Sequence, residues 1–206
     1  NIPLSIIKNP NDIDLSLSNI KKNKITSIFS TPSFFSQFVY SDYVKKTNKT
    51  SLKQILSGGD FFPNTHLSNW LENNNKLKIY NVWGPTETSI VNSMYIVKKS
   101  DRKRLSKQKY LPVGQSTKRM EISIIKNRKI MKKSNEEGFI CLSGKSICKG
   151  FIDENHRYKK MLTKIGNKTF FNTGDLGYFD KFNYLHIIGR KDNTIKIQGY
   201  RINQKE

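Results

Sequence analysis

Three short apolar runs, at residues 25–29, 52–56 and 77–82, are separated by stretches with helix-start signals. That alternation constrains the fold more than any other feature of the chain. Ser30-Thr31-Pro32 stops the first run and opens a helix to about Tyr40 that carries Phe34, Phe35, Phe38 and Val39. Pro63 stands in the first turn of a second helix reaching Glu72. Strand–helix repetition of this kind predicts βαβ units and a parallel sheet. Each strand ends in small or hydroxyl residues: Ser30-Thr31, Ser57-Gly58-Gly59-Asp60 and Gly84-Pro85-Thr86. In a parallel sheet those ends lie together, and open α/β sheets bind ligands there.

After residue 92 the pattern changes. Residues 94–97, 121–125, 139–142, 169–171, 184–188 and 194–198 read as short strands, with turns such as Lys126-Asn127 and Glu137-Gly138 between them. The expected architecture is α/β plus β: a parallel-sheet subdomain over about residues 1–97, then a β-rich, barrel-like subdomain over about 110–189. Residues 156–163 suit a lone helix, and 98–109 read as a solvated charged loop. The chain starts at Asn and stops inside an unfinished element, so it reads as a piece of a longer protein.

The net charge of +21 raises the question of nucleic acid. The charge is dispersed, however, and 30 of the 37 basic residues are Lys rather than Arg. Base-specific sites favour Arg, so no nucleic-acid partner is expected. No apolar run approaches the ~20 residues of a membrane span. Cys141 and Cys148 have no His or Cys at metal spacing and read as free thiols in a reducing, cytoplasmic setting.

Four short motifs could carry chemistry, and each has an ordinary reading. In the stretch Tyr80-Asn81-Val82-Trp83-Gly84-Pro85-Thr86-Glu87, hydroxyls could hold a phosphate and Glu87 could hold Mg²⁺. The same residues could be a strand–turn with Thr86 capping a helix. Ser57-Gly58-Gly59-Asp60 could let a flat ring approach the backbone, or could be a simple turn. Thr173-Gly174-Asp175 could present a carboxylate to ribose hydroxyls, or make a hairpin turn. Arg190, in Gly189-Arg190-Lys191-Asp192, could bind ribose or phosphate, or be a surface charge.

Taken together and in order, these stretches resemble the adenylate-forming superfamily. The likeness is closest to amino-acid adenylation domains of nonribosomal peptide synthetases and D-alanine–carrier protein ligases. The family's successive motifs, NxYGPTE, GEIxxxGxxxxxGY, YxTGD and GRxDxQxKxxGYRIE, read here NVWGPTE (81–87), GFICLSGKSICKGF (138–151), FNTGD (171–175) and GRKDNTIKIQGYRI (189–202). STPSFFSQF (30–38) and LPVGQ (111–115) fit too, so the likeness covers nearly the whole chain. Acyl-CoA synthetases of the superfamily usually have GMTE, so Pro85 favours the amino-acid branch over an acyl- or aryl-CoA ligase.

The resemblance implies a set of roles. Gly59 and Asp60 line the adenine site, Trp83 stacks on the base beside Gly84, and Thr86 binds phosphate. Thr86 and Glu87 form the catalytic pair, with Glu87 as the Mg²⁺ ligand. Asp175 binds the ribose hydroxyls, supported by Arg190. Ile55, Ser57, Val82, Ile90 and Val91 line the carboxylate-substrate pocket, whose aliphatic part suits a small or apolar side chain. Residues 1–191 belong to the large AMP-binding domain. Asp192 is the hinge to a small α+β domain begun by 192–206, and Gly199 contacts the carrier's phosphopantetheine arm. The implied reaction uses ATP and Mg²⁺ to activate an amino acid, then passes it to a carrier protein.

Four positions depart from the pattern. Trp83 replaces Tyr, Asp60 replaces Glu, Asn172 replaces Lys or Arg, and Asn203-Gln204-Lys205 replaces Glu-Leu-Gly. The family's phosphate loop, its Asp for the substrate amino group and its C-terminal catalytic Lys have no counterpart in these residues. The 206-residue piece alone is therefore expected to be inactive in adenylation. The remaining alternative is a basic nucleic-acid-binding protein on a decayed enzyme scaffold.

Overall fold

The structure is a computed structural model; it describes residues 3–105, 110–118, 120–152, 155–191, 194–197 and 200–203. In chain order the strands are β1 (Ser27–Ser30), β2 (Gln54–Gly58), β3 (Lys78–Trp83), β4 (Ser93–Val97), β5 (Gln115–Ser116), β6 (Met120–Lys126) and β7 (Lys129–Ile130). They continue as β8 (Gly138–Gly144), β9 (Leu162–Ile165), β10 (Lys168–Phe179), β11 (Leu185–Arg190), β12 (Thr194–Ile197) and β13 (Tyr200–Asn203). The helices are α1 (Ile13–Lys22), α2 (Pro32–Tyr40), α3 (Asn64–Asn73), α4 (Arg102–Leu105) and α5 (Asn155–Lys160). The chain divides into two compact units, residues 1–81 with 96–111 and residues 82–95 with 112–206.

The first unit is α/β. Helix α1 begins where Asp12 accepts a 2.8 Å hydrogen bond from the Leu15 amide, and Lys21 and Lys22 meet the negative end of its dipole. Pro32 opens α2, its fixed φ suiting a first turn. Strands β1 and β2 pair in parallel, Ser27 opposite Gln54 through Ser30 opposite Ser57, as the βαβ pattern requires. Phe35, Phe38 and Trp70 bring α2 and α3 together and are almost wholly buried. Trp70 packs edge-on against Phe35 and donates its indole N–H to the Phe35 carbonyl at 3.1 Å. Burying each such side chain contributes on the order of 2–3 kcal/mol.

The second unit is mainly antiparallel β. Its larger sheet runs β11-β10-β8-β6-β7, with β9 paired to β10. Ile124, Ile140, Leu142 and Leu185 form its core, and Trp83 packs against that cluster. Strands β4 and β5 pair antiparallel, Ser93 opposite Ser116, and β12 and β13 form a separate hairpin.

Three local expectations change. Residues 98–105 are not a solvated loop: a 3-10 turn (Lys99–Asp101) leads into α4, and Asp101 and Leu105 are buried. The Asp101 carboxylate accepts from the Lys98 amide, and the Leu105 carbonyl accepts from Asn64, so charged residues cover a tethered turn. The helix expected over 156–163 stops at Lys160, because residues 162–165 pair with β10 as a strand. Thr173-Gly174-Asp175 is not a turn between strands but lies within β10. There the pairing to β8 slips between Asn172 and Leu176, and Gly174 takes φ +78°. A bulge accommodates the extra residues without ending the strand.

Candidate active site

The stretch after β3 is a compact knot. Gly84-Pro85 turns the chain, and a 3-10 turn follows at Thr86–Thr88. Pro85, not Thr86, occupies the cap position. The hydroxyl that folds back is that of Thr88, which shares its one proton between the Pro85 carbonyl, at 3.1 Å, and Asn92 Oδ1. Thr86 is left exposed, its hydroxyl making no hydrogen bond to the described residues. Ser89 and Ile90 then both take left-handed backbone, φ +69° and +70°. For a β-branched residue this is an outlier that the surroundings must impose. They do so through Ile90 N–H to the Pro85 carbonyl (3.1 Å) and Asn92 N–H to the Trp83 carbonyl (2.8 Å). Gly84 is needed here: an added methyl would sit 2.7 Å from Asn92 Oδ1 and 2.8 Å from Asn92 N.

Glu87 is the carboxylate of this knot. Its backbone carbonyl accepts a 2.7 Å hydrogen bond from the Cys148 amide. Cys148 is in turn held by the Tyr158 hydroxyl, which donates to the Cys148 carbonyl at 2.5 Å. Burial first, and the neighbouring Cys148 second, push the Tyr158 phenol above its ordinary range. One carboxylate oxygen of Glu87, Oε2, is buried without a hydrogen-bond partner among the described residues. An anionic oxygen in that condition suits a cation, and Mg²⁺ prefers one or two carboxylates with substrate phosphates completing its shell. Among the described residues no three His, Cys, Asp or Glu cluster as a metal site.

A second centre forms around Asp175. The bulge in β10 places it directly opposite Arg190 of β11. Arg190 Nη1 donates to Asp175 Oδ1 at 2.6 Å, and Trp83 Nε1 donates to Asp175 Oδ2 at 3.1 Å. Arg190 also reaches the Thr173 carbonyl at 3.3 Å. Thr173 anchors the strand, donating its hydroxyl to the Ile140 carbonyl at 2.8 Å and accepting from the Asp175 amide. Asn172, in place of the family's basic residue, accepts from the Gly174 amide at 2.9 Å. The uncharged side chain thus braces the bulge. What results is a half-buried indole edge, a carboxylate and a guanidinium in one small area, the donor and acceptor set a ribose and a base require.

The remaining expected residues divide between the units. Ile55 and Ser57 are in the first unit, wholly buried, and the Ser57 hydroxyl has no partner among the described residues. Gly59 follows β2 with φ +92°, and Asp60 accepts from the Phe61 amide at 2.7 Å. Val82, Ile90 and Val91 are in the second unit: Val82 is buried, Val91 half-buried and Ile90 is 51% exposed. Asp192 and Gly199 lie outside the described residues. Sequence reasoning missed Asn92, and it read Thr173 and Cys148 only as a motif member and a free thiol, not as anchors of the site. The Thr88–Asn92 spacing of four was the only available signal, and it points to no role by itself.

Comparison with known proteins follows the same lines. The AMP-binding enzyme family matches residues 4–152. The D-alanine--D-alanyl carrier protein ligases of Bacillus mycoides (strain KBAB4) and Bacillus cereus (strain AH187) are each 28% identical over all 206 residues. The chain spans 39% of their length. Among solved structures, PA1221, an NRPS protein containing adenylation and PCP domains, superposes with a TM-score of 0.80 at 22% identity, over 93% of this chain and 38% of that one. The Vibrio cholerae adenylation domain AlmE, in complex with glycyl-adenosine-5'-phosphate, superposes at 0.77 and 19% identity, over 91% and 35%. At such identities the superpositions establish the fold, α/β with a β-rich part, as the sequence pattern predicts. No helix of the described residues is long and apolar enough to cross a membrane.

Proposed function

This chain belongs to the AMP-binding enzyme family, and from that premise we propose that it is part of a ligase that activates an amino-acid carboxylate as its adenylate and passes it to a carrier-protein thiol. The observation that carries the reading is the Asp175 carboxylate, shared between Arg190 and the indole of Trp83. Ribose hydroxyls bind Asp175, adenine stacks on Trp83, and Arg190 holds the carboxylate in orientation. Gly59 and Asp60 are assigned to the base by their motif alone. Thr86 offers its free hydroxyl to phosphate. Glu87 Oε2, buried without a partner, would hold Mg²⁺, which supplies charge neutralisation at the phosphates when bound.

In the first half-reaction a carboxylate oxygen attacks the α-phosphorus of ATP and the bond to pyrophosphate breaks. In the second, a thiolate of a phosphopantetheine arm attacks the acyl carbon and AMP leaves. Neither step asks a side chain for covalent chemistry; positioning and charge do the catalysis. Ile55, Ser57, Val82, Ile90 and Val91 are assigned to the amino-acid substrate by their motifs alone, and their aliphatic character favours a small or apolar side chain. Asp192 is the hinge and Gly199 the contact for the arm. The names of relatives, carrier protein ligases and an adenylation–PCP protein, support a carrier as partner; the two free thiols are what favour a site of action in the cytoplasm.

Calorimetry on this chain tests the nucleotide half. AMP and ATP should bind, ATP more tightly with Mg²⁺ than with chelator, and Asp175→Ala should remove both. Absence of nucleotide binding would overturn the reading. Release of pyrophosphate dependent on a charged rather than an apolar amino acid, in the polypeptide that carries this chain, would overturn the substrate class.

A further inference from the structure

Asn92 has no counterpart among the motifs, yet both polar atoms of its side chain are committed within the knot. It is 1% exposed, and Thr88 beside it is wholly buried. Asn92 Nδ2 donates to the Thr88 carbonyl at 2.8 Å, and Asn92 Oδ1 accepts from the Thr88 hydroxyl. Its backbone is equally committed. The amide donates to the Trp83 carbonyl at 2.8 Å, and the carbonyl accepts from Thr117 at 2.8 Å. One residue therefore ties together the end of β3, the 3-10 turn and the segment that follows β5.

What Asn92 fixes is the piece of chain between Trp83 and itself. That piece contains Thr86, Glu87 and Ile90, and it includes two consecutive left-handed residues, Ser89 and Ile90. Non-glycine residues keep such conformations only where neighbouring bonds over-determine them, and they concentrate at functional sites. The φ of Ile90 turns its side chain outward, and the same closure holds Glu87 so that Oε2 is buried without a partner.

We propose that Asn92 is a positioning residue: its paired hydrogen bonds to Thr88 set the Thr86–Glu87 turn for metal–phosphate binding and hold Ile90 in its strained orientation. The proposal rests on the reading of Glu87 as the Mg²⁺ ligand. Asn92 touches neither metal nor nucleotide; it acts through the turn. The amide and the hydroxyl form a unit, so removing either should cost nearly as much as removing both.

The experiment measures binding of AMP and of ATP to the full chain by calorimetry, each with Mg²⁺ and with chelator. It compares wild type, Glu87→Gln, Asn92→Ala, Asn92→Asp, Thr88→Val and the Asn92→Ala/Thr88→Val pair. Glu87→Gln should remove the Mg²⁺-dependent gain for ATP and leave AMP within twofold. Asn92→Ala and Thr88→Val should each reduce that gain about tenfold, with AMP again within twofold, and the double variant should lose little more. Asn92→Asp keeps the acceptor for Thr88 and should recover part of the gain. A loss in Glu87→Gln with none in Asn92→Ala would overturn the positioning role alone. No loss in Glu87→Gln would overturn the metal reading, and the proposal with it. An equal loss of AMP and ATP binding in Asn92→Ala would show mere loosening of the fold and would also overturn it.

Discussion

Trp83 and Asp175, 92 positions apart in sequence, are joined by a 3.1 Å hydrogen bond from the indole N–H to the carboxylate. The substitution of Trp for the family's Tyr therefore exchanges a phenolic hydroxyl for an N–H donor aimed at the carboxylate proposed to bind ribose. Indole and carboxylate become one unit, stiffened on the other side by Arg190.

That link gives an optical readout. The chain has two tryptophans, and Trp70 is sealed in the first unit's core at 1% exposure. Adenine nucleotides should quench Trp83 and leave Trp70 unaffected. Trp83→Phe should abolish the quench, retain the Trp70 emission, and weaken AMP binding about fivefold, equivalent to ~1 kcal/mol of lost stacking and donor contact. Undiminished quenching in Trp83→Phe would rule Trp83 out as the platform.

Arg190 should matter to stability as well as to binding. Its ion pair with Asp175 is mostly shielded, the side chains being 19% and 13% exposed. Arg190→Ala strips a nearly buried carboxylate of its charged partner, at about 2 kcal/mol, less than for a fully buried pair. For a chain of this size the melting temperature should fall by roughly 4–8 °C. Adding Asp175→Asn to Arg190→Ala should restore part of the loss; an additive loss in differential scanning calorimetry would contradict the pairing.

Glycine substitutions at two positions should separate packing from conformation. Gly84→Ala drives a methyl into the backbone and side chain of Asn92, so it should cost about 2–3 kcal/mol and remove Mg²⁺-dependent ATP binding. Gly166→Ala meets no atom within 4 Å and pays only for φ +57°, about 1 kcal/mol, with binding unchanged. The reverse change, Ser89→Gly at φ +69°, should raise stability by roughly 0.5–1 kcal/mol, seen as a higher denaturant midpoint.

The two thiols should differ in pH response. Burial pushes Cys141 up to about 12, so the folded chain keeps its proton where an unfolded chain has lost it near 9. A folded pKa raised above the unfolded one means stability that is complete below about pH 9 and lost as pH rises toward 12. Thermal melts of wild type and Cys141→Ala should therefore converge between pH 8.5 and 10.5, other titrations cancelling in the difference. At pH 8 a thiol reagent should modify the half-buried Cys148 and spare Cys141.

The alternation of apolar runs made the parallel pair β1–β2 and the helices between them legible, because strand and helix periods differ and Pro32 and Pro63 mark the helix starts. Of the second unit's strands, β6, β8 and β11 were placed well, since β-branched runs broken by Lys-Asn and Glu-Gly turns leave few alternatives, whereas β9 and most of β10 were not. Asp175 and Arg190 were visible as motif members, but their pairing was not. It depends on a bulge that keeps β10 intact through Gly174, and local turn chemistry argued for a hairpin there. The Asn92 lock was invisible for a related reason. An Asn in a loop is ordinary, and its worth lies in a backbone closure that only the folded chain discloses. Charged residues at 98–105 misled in the opposite direction, their composition hiding a tethered turn.

Residues 82–95 form an excursion: the chain leaves the first unit after residue 81, re-enters it at 96 and leaves again after 111. On a ribosome, a unit made of one continuous stretch can finish folding once that stretch has emerged. The first unit here has to wait for Leu105, whose carbonyl holds Asn64, before its helical layer is complete. The segment that carries Trp83 and Glu87 emerges still earlier, about 90 residues before Asp175 can meet the indole. The link between Trp83 and Asp175 is thus made late in synthesis, and until β10 is made Trp83 has no carboxylate to bind.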